Sequence, residues 1–354
     1  MTTVRDTIQR DLADEIQSVI KVAETSRLVV DLREYVLTDL LAKQFGDVLS
    51  ALVAASRPAT MSSGKTGIWV SGFFGSGKSH FAKLIGHLAA NTQTDAGPAR
   101  ELFRQRLRPG NARHDRIAEL LHEADKDGLR AQLVAFDITA LHGDATENTG
   151  RIFLRGLYRQ LGLSSVIAFA DLETEVNAAG KREEFLAAYS AASGGSSWDD
   201  DRDLPHVSAQ LAEAVASVLP RFKSAEDALR GIELSQNEYT TLSIDGVVQK
   251  LLRWLASQKV GGQEKVLFFV ADEVGAWAGR NLQRIEELRL AHIAGVDDQI
   301  RSIERAQRFR PQQTVGIGDQ TDQPNVATHV SMLPARNSSE RDRLLTAHQI
   351  KIGC

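Results

Sequence analysis

Eight consecutive residues, Gly72-Phe73-Phe74-Gly75-Ser76-Gly77-Lys78-Ser79, have the types and spacing needed to hold a triphosphate. The glycines permit positive φ angles and let successive backbone N–H groups close around phosphate oxygens, which a Cβ would obstruct. Lys78 is placed to reach the β- and γ-phosphates, and Ser79 to set its hydroxyl on Mg2+. A helix beginning there turns the positive end of its dipole toward the anion. One lysine charge about 4 Å from one phosphate charge is worth roughly 4 kcal/mol at an effective dielectric near 20. Gly72 through Ser79, with His80 in the same first turn, are therefore the candidate nucleotide-binding residues. ATP with Mg2+ is the expected ligand, because the sequence carries no Asn-Lys-x-Asp element that would read guanine.

A second group lies almost 200 residues later. Asp272-Glu273 ends the apolar run Val266-Leu267-Phe268-Phe269-Val270-Ala271, where a parallel sheet delivers side chains to a ligand crevice. Asp272 is expected to hold Mg2+ through water, and Glu273 to orient or deprotonate the attacking water, which separates a hydrolysing ATPase from a binder. Asp137 closes another apolar strand and either faces the same crevice or caps its own loop. Trp277 reads as packing. Arg100, Arg104, Arg106, Arg108, Arg113 and Arg116 are interleaved with Glu101, Asp115 and Glu119, the pattern of a solvated helix face rather than a nucleic-acid patch. The nine histidines show no metal-ligand spacing, so no metal beyond Mg2+ is expected.

These groups need elements to position them. Residues 4 to about 55 carry helix-spaced apolar positions, Ile8, Leu12, Ile16, Val19 and Ile20, then Leu40, Leu41, Phe45, Val48, Leu49 and Leu52. Thr66 to Ser71 is β-rich, and Phe81, Leu84, Ile85 and Leu88 form one helical stripe after the glycine loop. Gln132 to Ile138 reads as a strand buried on both faces. Residues from about 145 to 260 are mostly helical, broken at Gly194-Gly195-Ser196-Ser197, and read as an insertion between two strands of one sheet. The expected division is an N-terminal helical element at 1–60, a core at 61–290 and an irregular tail at 291–354.

Bulk properties set few further limits. The 354 residues suffice for a sizeable core, and a net charge of -4 gives no whole-chain bias toward nucleic acid or anionic membrane. The single cysteine, Cys354, excludes an intrachain disulfide and a cysteine metal cluster. With no signal-like N-terminus and no long apolar run, a cytoplasmic protein away from membranes is expected.

The stretch from Gly67 to Lys83, with its double phenylalanine inside the loop and Ser-His-Phe-Ala-Lys after it, resembles the phosphate loop of the large P-loop ATPases of BREX-type and phage-growth-limitation defence systems, the BrxC/PglY family. Asp11 to Val22, Tyr35 to Asp39 and Phe268 to Gly275 are similar to the same family, so the resemblance covers roughly residues 5 to 280. It implies an α/β P-loop NTPase fold of the additional-strand, catalytic-glutamate type. It also implies a cytosolic ATPase that works with other phage-defence proteins, including a DNA methyltransferase. Relatives of this fold often complete their sites with a neighbouring subunit's arginine, so a homo-oligomer is compatible, and direct nucleic-acid contact stays open.

Family members are several times longer, and the pattern ends soon after Asn281 to Leu288. In ATPases of this type the next strand enters between the phosphate-loop strand and the acidic-pair strand and carries a polar residue that senses the γ-phosphate. Here only Asn325 to Leu333 offers a substitute, so the sheet is expected to be incomplete and the chain an N-terminal portion. Two functional readings stand side by side, an ATPase and an ATP-binding interaction protein or truncated remnant without turnover. A small-molecule phosphotransferase is disfavoured, since the adjacent Asp-Glu pair suits water activation.

Overall fold

The computed structural model describes residues 20–55, 67–73, 75–141, 147–204, 206–257, 266–279, 281–284, 286–287, 327–333 and 348–351. Helices α1 (Leu28–Glu34) and α2 (Asp39–Ala55) precede β1 (Gly67–Ser71), and the glycine loop leads from β1 into α3 (Lys78–Ala90). A short ribbon of β2 (Gln93–Thr94) and β3 (Gly97–Pro98), then α4 (Ala99–Arg104) and α5 (Ala112–Lys126), return the chain to β4 (Ala131–Asp137). After α6 (Ile138–Leu141) come α7 (Thr149–Gln160), α8 (Ile167–Ala178), α9 (Arg182–Ala192), α10 (Trp198–Asp201), α11 (Ser208–Val218), α12 (Ala225–Thr240) and α13 (Ile244–Ser257). The chain then forms β5 (Val266–Asp272), α14 (Val274–Ala278), β6 (Ala327–Leu333) and β7 (His348–Lys351). Among the described residues no helix is long and apolar enough to cross a membrane.

The described strands of the main sheet run in the order β4-β5-β6-β1-β7. β4 pairs in parallel with β5, and β1 in parallel with β7, while β6 is antiparallel to both β1 and β5. β1 and β5 therefore point the same way, and β6 alone is reversed. The central place expected to lack a strand is thus taken by residues 327–333, but by a strand running in the opposite sense. Residues 327–333 and 348–351 join the sheet from within the stretch read as an irregular tail; the rest of 291–354 lies outside the described residues, as do residues 1–19.

The N-terminal helical reading also needs division. Residues 20–27 form turns, and α1 stops at Tyr35, whose backbone is extended, before α2 begins at Asp39.

Strand β5 shows why an unbroken apolar run was needed. Val266, Phe268 and Val270 join a core with α1 to α5, whereas Leu267, Phe269 and Ala271 join a second core with α7 and α13 on the opposite face. Period-two alternation thus feeds two helical layers, and every residue of β5 is buried. Helix α3 lies close against the sheet at Gly86, where a Cβ would come within 2.7 Å of Leu133 Cδ1. A third core, built around the buried Trp198, belongs to α8 to α12 between β4 and β5.

Arg100 departs from the expected solvated face. It is 1% exposed and donates from Nε to the Leu88 carbonyl at 2.7 Å, and from Nη2 to the carbonyls of Ala89 and Leu129 at 3.0 and 3.1 Å. Nη1 pairs with Asp125 at 2.8 Å. The guanidinium thereby closes off the last turn of α3, whose terminal carbonyls have no partners within the helix. Arg104 and Arg116 do pair with neighbouring acids, Asp125 and Glu101, and Glu119 and Glu123. Replacing Arg100 by Met keeps apolar volume but strands those carbonyls and Asp125. The expected loss is about 3 kcal/mol, read as a lower urea midpoint with an unchanged slope.

Two more polar groups are buried along α3. Lys83, 1% exposed on its side chain, forms an ion pair with Asp31 of α1 at 2.7 Å. His87 sets Nδ1 2.9 Å from Thr92 Oγ1, while Nε2 is buried without a hydrogen-bond partner among the described residues. Burial first, and the Lys83 charge second, push the His87 pKa down to about 4 against partial opposition from Asp31. The unfolded chain therefore takes up a proton near pH 6.5 that the folded one refuses until about pH 4. Stability from this residue is complete above pH 6.5 and lost as pH falls through about 4. At about 1.4 kcal/mol per pKa unit the full loss is about 3.5 kcal/mol, most of it above pH 4.5. Urea unfolding at pH 7.0 and 4.5 measures it, and His87→Asn should flatten that part of the profile.

Candidate functional site

The loop between β1 and α3 is built on two left-handed glycines. Gly75 has φ 76° and Gly77 φ 82°, with open space where either Cβ would lie. Only glycine adopts this geometry without strain, and it turns successive N–H groups toward one side. The Ser76 N–H donates to the Phe73 carbonyl at 3.2 Å. The Ser76 hydroxyl is buried with no hydrogen-bond partner among the described residues, so the cradle holds polar capacity that a phosphate oxygen would satisfy.

Lys78 opens α3 with its side chain turned back over the loop, Nζ donating to the Phe73 carbonyl at 2.8 Å. The residue is 5% exposed. Burial pulls its pKa down, and the charges of Asp272 and Glu273 push it up. Ser79 follows, half-buried, in the first helical turn.

His80, included among the candidate residues, has its ring elsewhere. Nε2 lies 3.3 Å from the Asp31 carbonyl, and the ring stands edge-on to Tyr35 at 4.8 Å between centroids. What His80 offers the loop is its backbone N–H. Gly72 is buried and Phe73 is 68% exposed, while Phe74 lies outside the described residues.

Strand register brings the carboxylates to the same end of the sheet. Trp69 pairs with His329, and His329 with Ala271, so Ser71 and Asp272 finish their strands at neighbouring levels. Two strand spacings separate β1 from β5, about 10 Å. In the adjoining pair Asp137 stands directly opposite Asp272. Asp137 Oδ1 accepts from the Thr139 N–H at 2.8 Å and from the Thr139 hydroxyl at 2.6 Å, so it caps its loop while standing beside the acidic pair.

Glu273 has φ 58°, a left-handed backbone that costs a residue with a Cβ about 1 to 2 kcal/mol. Its N–H donates to its neighbour's carboxylate, Asp272 Oδ1, at 2.9 Å. Burial, then the charges of Asp272 and Asp137, raise the Glu273 pKa above the usual carboxylate range, with Lys78 opposing. A carboxylate so placed is a better proton acceptor than one in water. Trp277, one helical turn on, is buried and packs in the second core, with the Arg284 guanidinium 4.8 Å from its ring centre.

The loop, Lys78, Asp137, Asp272 and Glu273 thus lie toward one end of the sheet. The sequence reading does not single out Asp31, which pairs with Lys83 behind the loop; its signal is a lone carboxylate inside the apolar run Leu28-Val29-Val30-Asp31-Leu32. No protein-family model matches the chain, and no solved structure matches it at a significant level.

Proposed function

We propose that the chain is an ATP-binding protein with a P-loop NTPase core, using Mg2+ and hydrolysing ATP. The observation that carries this reading is the pair of left-handed glycines in a loop between a strand and a helix, with Lys78 folded back onto that loop. Gly72 through Ser79, with the His80 N–H, would hold the phosphates, and Ser79 and Asp272 would hold Mg2+. When bound, Mg2+ supplies charge to the phosphate oxygens that bonding changes at the γ-phosphate require. Lys78 leaves the Phe73 carbonyl to meet the phosphates, and Glu273 accepts a proton from water.

The resemblance to BrxC/PglY proteins supports placing this activity in the bacterial or archaeal cytoplasm, in a phage-defence assembly with partners that include a DNA methyltransferase. Self-association belongs to the same reading.

One observation favours a second reading, an ATP-binding protein that does not turn over alone. β6 presents its start, Ala327 to His329, to the site end of the sheet. The strand end that would carry a γ-phosphate sensor is therefore turned to the far edge. Titration of folded protein with labelled ATP and Mg2+ should show saturable uptake, and its absence sinks both readings. Phosphate release by the same sample favours the first reading, and uptake without release the second.

A further inference from the structure

Helix α3 carries three basic side chains on one stripe at spacings of three and four residues, His80, which is half-buried, and Lys83 and His87, which are buried. Two of them meet α1 at a single residue. Asp31 takes the Lys83 ammonium on its carboxylate at 2.7 Å and stands 3.3 Å from His80 Nε2 through its backbone carbonyl. Both members of the ion pair are almost wholly buried, at 1% and 6% side-chain exposure.

Such a pair is a poor source of stability. Removing two charges from water costs several kcal/mol, and a well-packed apolar pair of similar volume is often as stable or more so. The use that buried ion pairs serve best is to fix register. Here the element whose register is fixed is the helix that starts at Lys78, five residues before Lys83. Apolar packing of α3 against α1 and the sheet tolerates small rotations and slides, because hydrophobic contact has no preferred direction. A 2.7 Å ion pair and a ring contact to the Asp31 carbonyl do not.

We propose that Asp31 is a positioning residue for the nucleotide site. Through Lys83 and His80 it sets the rotation and axial position of α3, and hence of the loop amides and Lys78 at its head. It touches no ligand itself. The inference rests on the nucleotide-binding reading of that loop. A shift of about 1 Å in a binding constellation costs on the order of 100-fold.

The deciding comparison uses the full chain and a fluorescent ATP analogue with Mg2+. The double substitution Asp31→Leu with Lys83→Met removes both charges together, so neither is left buried alone. Its thermal midpoint should match wild type while affinity falls on the order of 100-fold. Lys83→Arg, which keeps the charge, should retain most of that affinity. Wild-type affinity in a stable double variant overturns the proposal. Should the double variant fail to fold, hydrogen exchange on the wild-type protein decides: bound analogue should slow exchange across residues 28–34 as well as 72–79. Protection confined to 72–79 overturns the proposal. Failure of the wild type to take up the analogue removes the nucleotide reading itself, a result distinct from either.

Discussion

Lys78→Ala should abolish measurable binding of Mg2+·ATP, weakening it roughly 1,000-fold in a direct titration. One lysine charge at about 4 Å from a phosphate is worth roughly 4 kcal/mol in a partly buried setting, and each 1.4 kcal/mol is tenfold. The surroundings add to this. Lys78 is the positive charge that opposes the rise in the Glu273 pKa, and it lies among Asp272 and Glu273. Without it an incoming triphosphate meets those carboxylates uncompensated. The variant should remain folded, because Lys78 makes its side-chain hydrogen bond to the neighbouring Phe73 carbonyl rather than to a distant element. Circular dichroism and a thermal midpoint close to wild type are the controls, and saturable uptake by a folded Lys78→Ala protein contradicts the role given to it.

Glu273→Gln should leave ATP uptake within a few-fold of wild type while lowering phosphate release by 100-fold to 10,000-fold, the range for loss of a general base. The amide keeps the size of the side chain and removes its capacity to accept a proton. Asp272 would lose a like-charged neighbour, so binding of Mg2+ and nucleotide has no reason to weaken greatly. Release and uptake must be measured on the same preparation. Equal loss of both would assign Glu273 to binding, and no loss of release would remove it from the chemistry.

Much of this site was legible in sequence for a simple reason: its parts are local. Glycine spacing reports directly on backbone freedom, and the two left-handed glycines lie where Gly75 and Gly77 allow them. The strands read at 66–71, 132–138 and 266–271 differ from the observed ones by a residue or so, because a strand buried on both faces needs an unbroken apolar run. Ile138 was the exception, since Asp137 caps a new helix there.

Other features depend on distant partners and left no local trace. Arg100 sat in a run of alternating charges that reads as a surface, yet its acceptors are carbonyls of Leu88, Ala89 and Leu129. The direction of β6 was not legible because side-chain alternation is the same read forward or backward. The left-handed backbone of Glu273 has no signal in its residue type, and the function proposed for it gives a reason to bear a strain that glycine would avoid.

The position of β6 also bears on how the protein comes into being. Hydrogen-bond continuity between β1 and β5 is supplied by residues 327–333, which a ribosome makes more than 50 residues after β5. At roughly 5 to 20 residues per second, the acidic pair waits several seconds, and the glycine loop tens of seconds, between emergence and their bridging strand. During that interval two strand edges face each other unpaired, so nascent chains halted before residue 327 should be the form most exposed to proteases and to wrong partners.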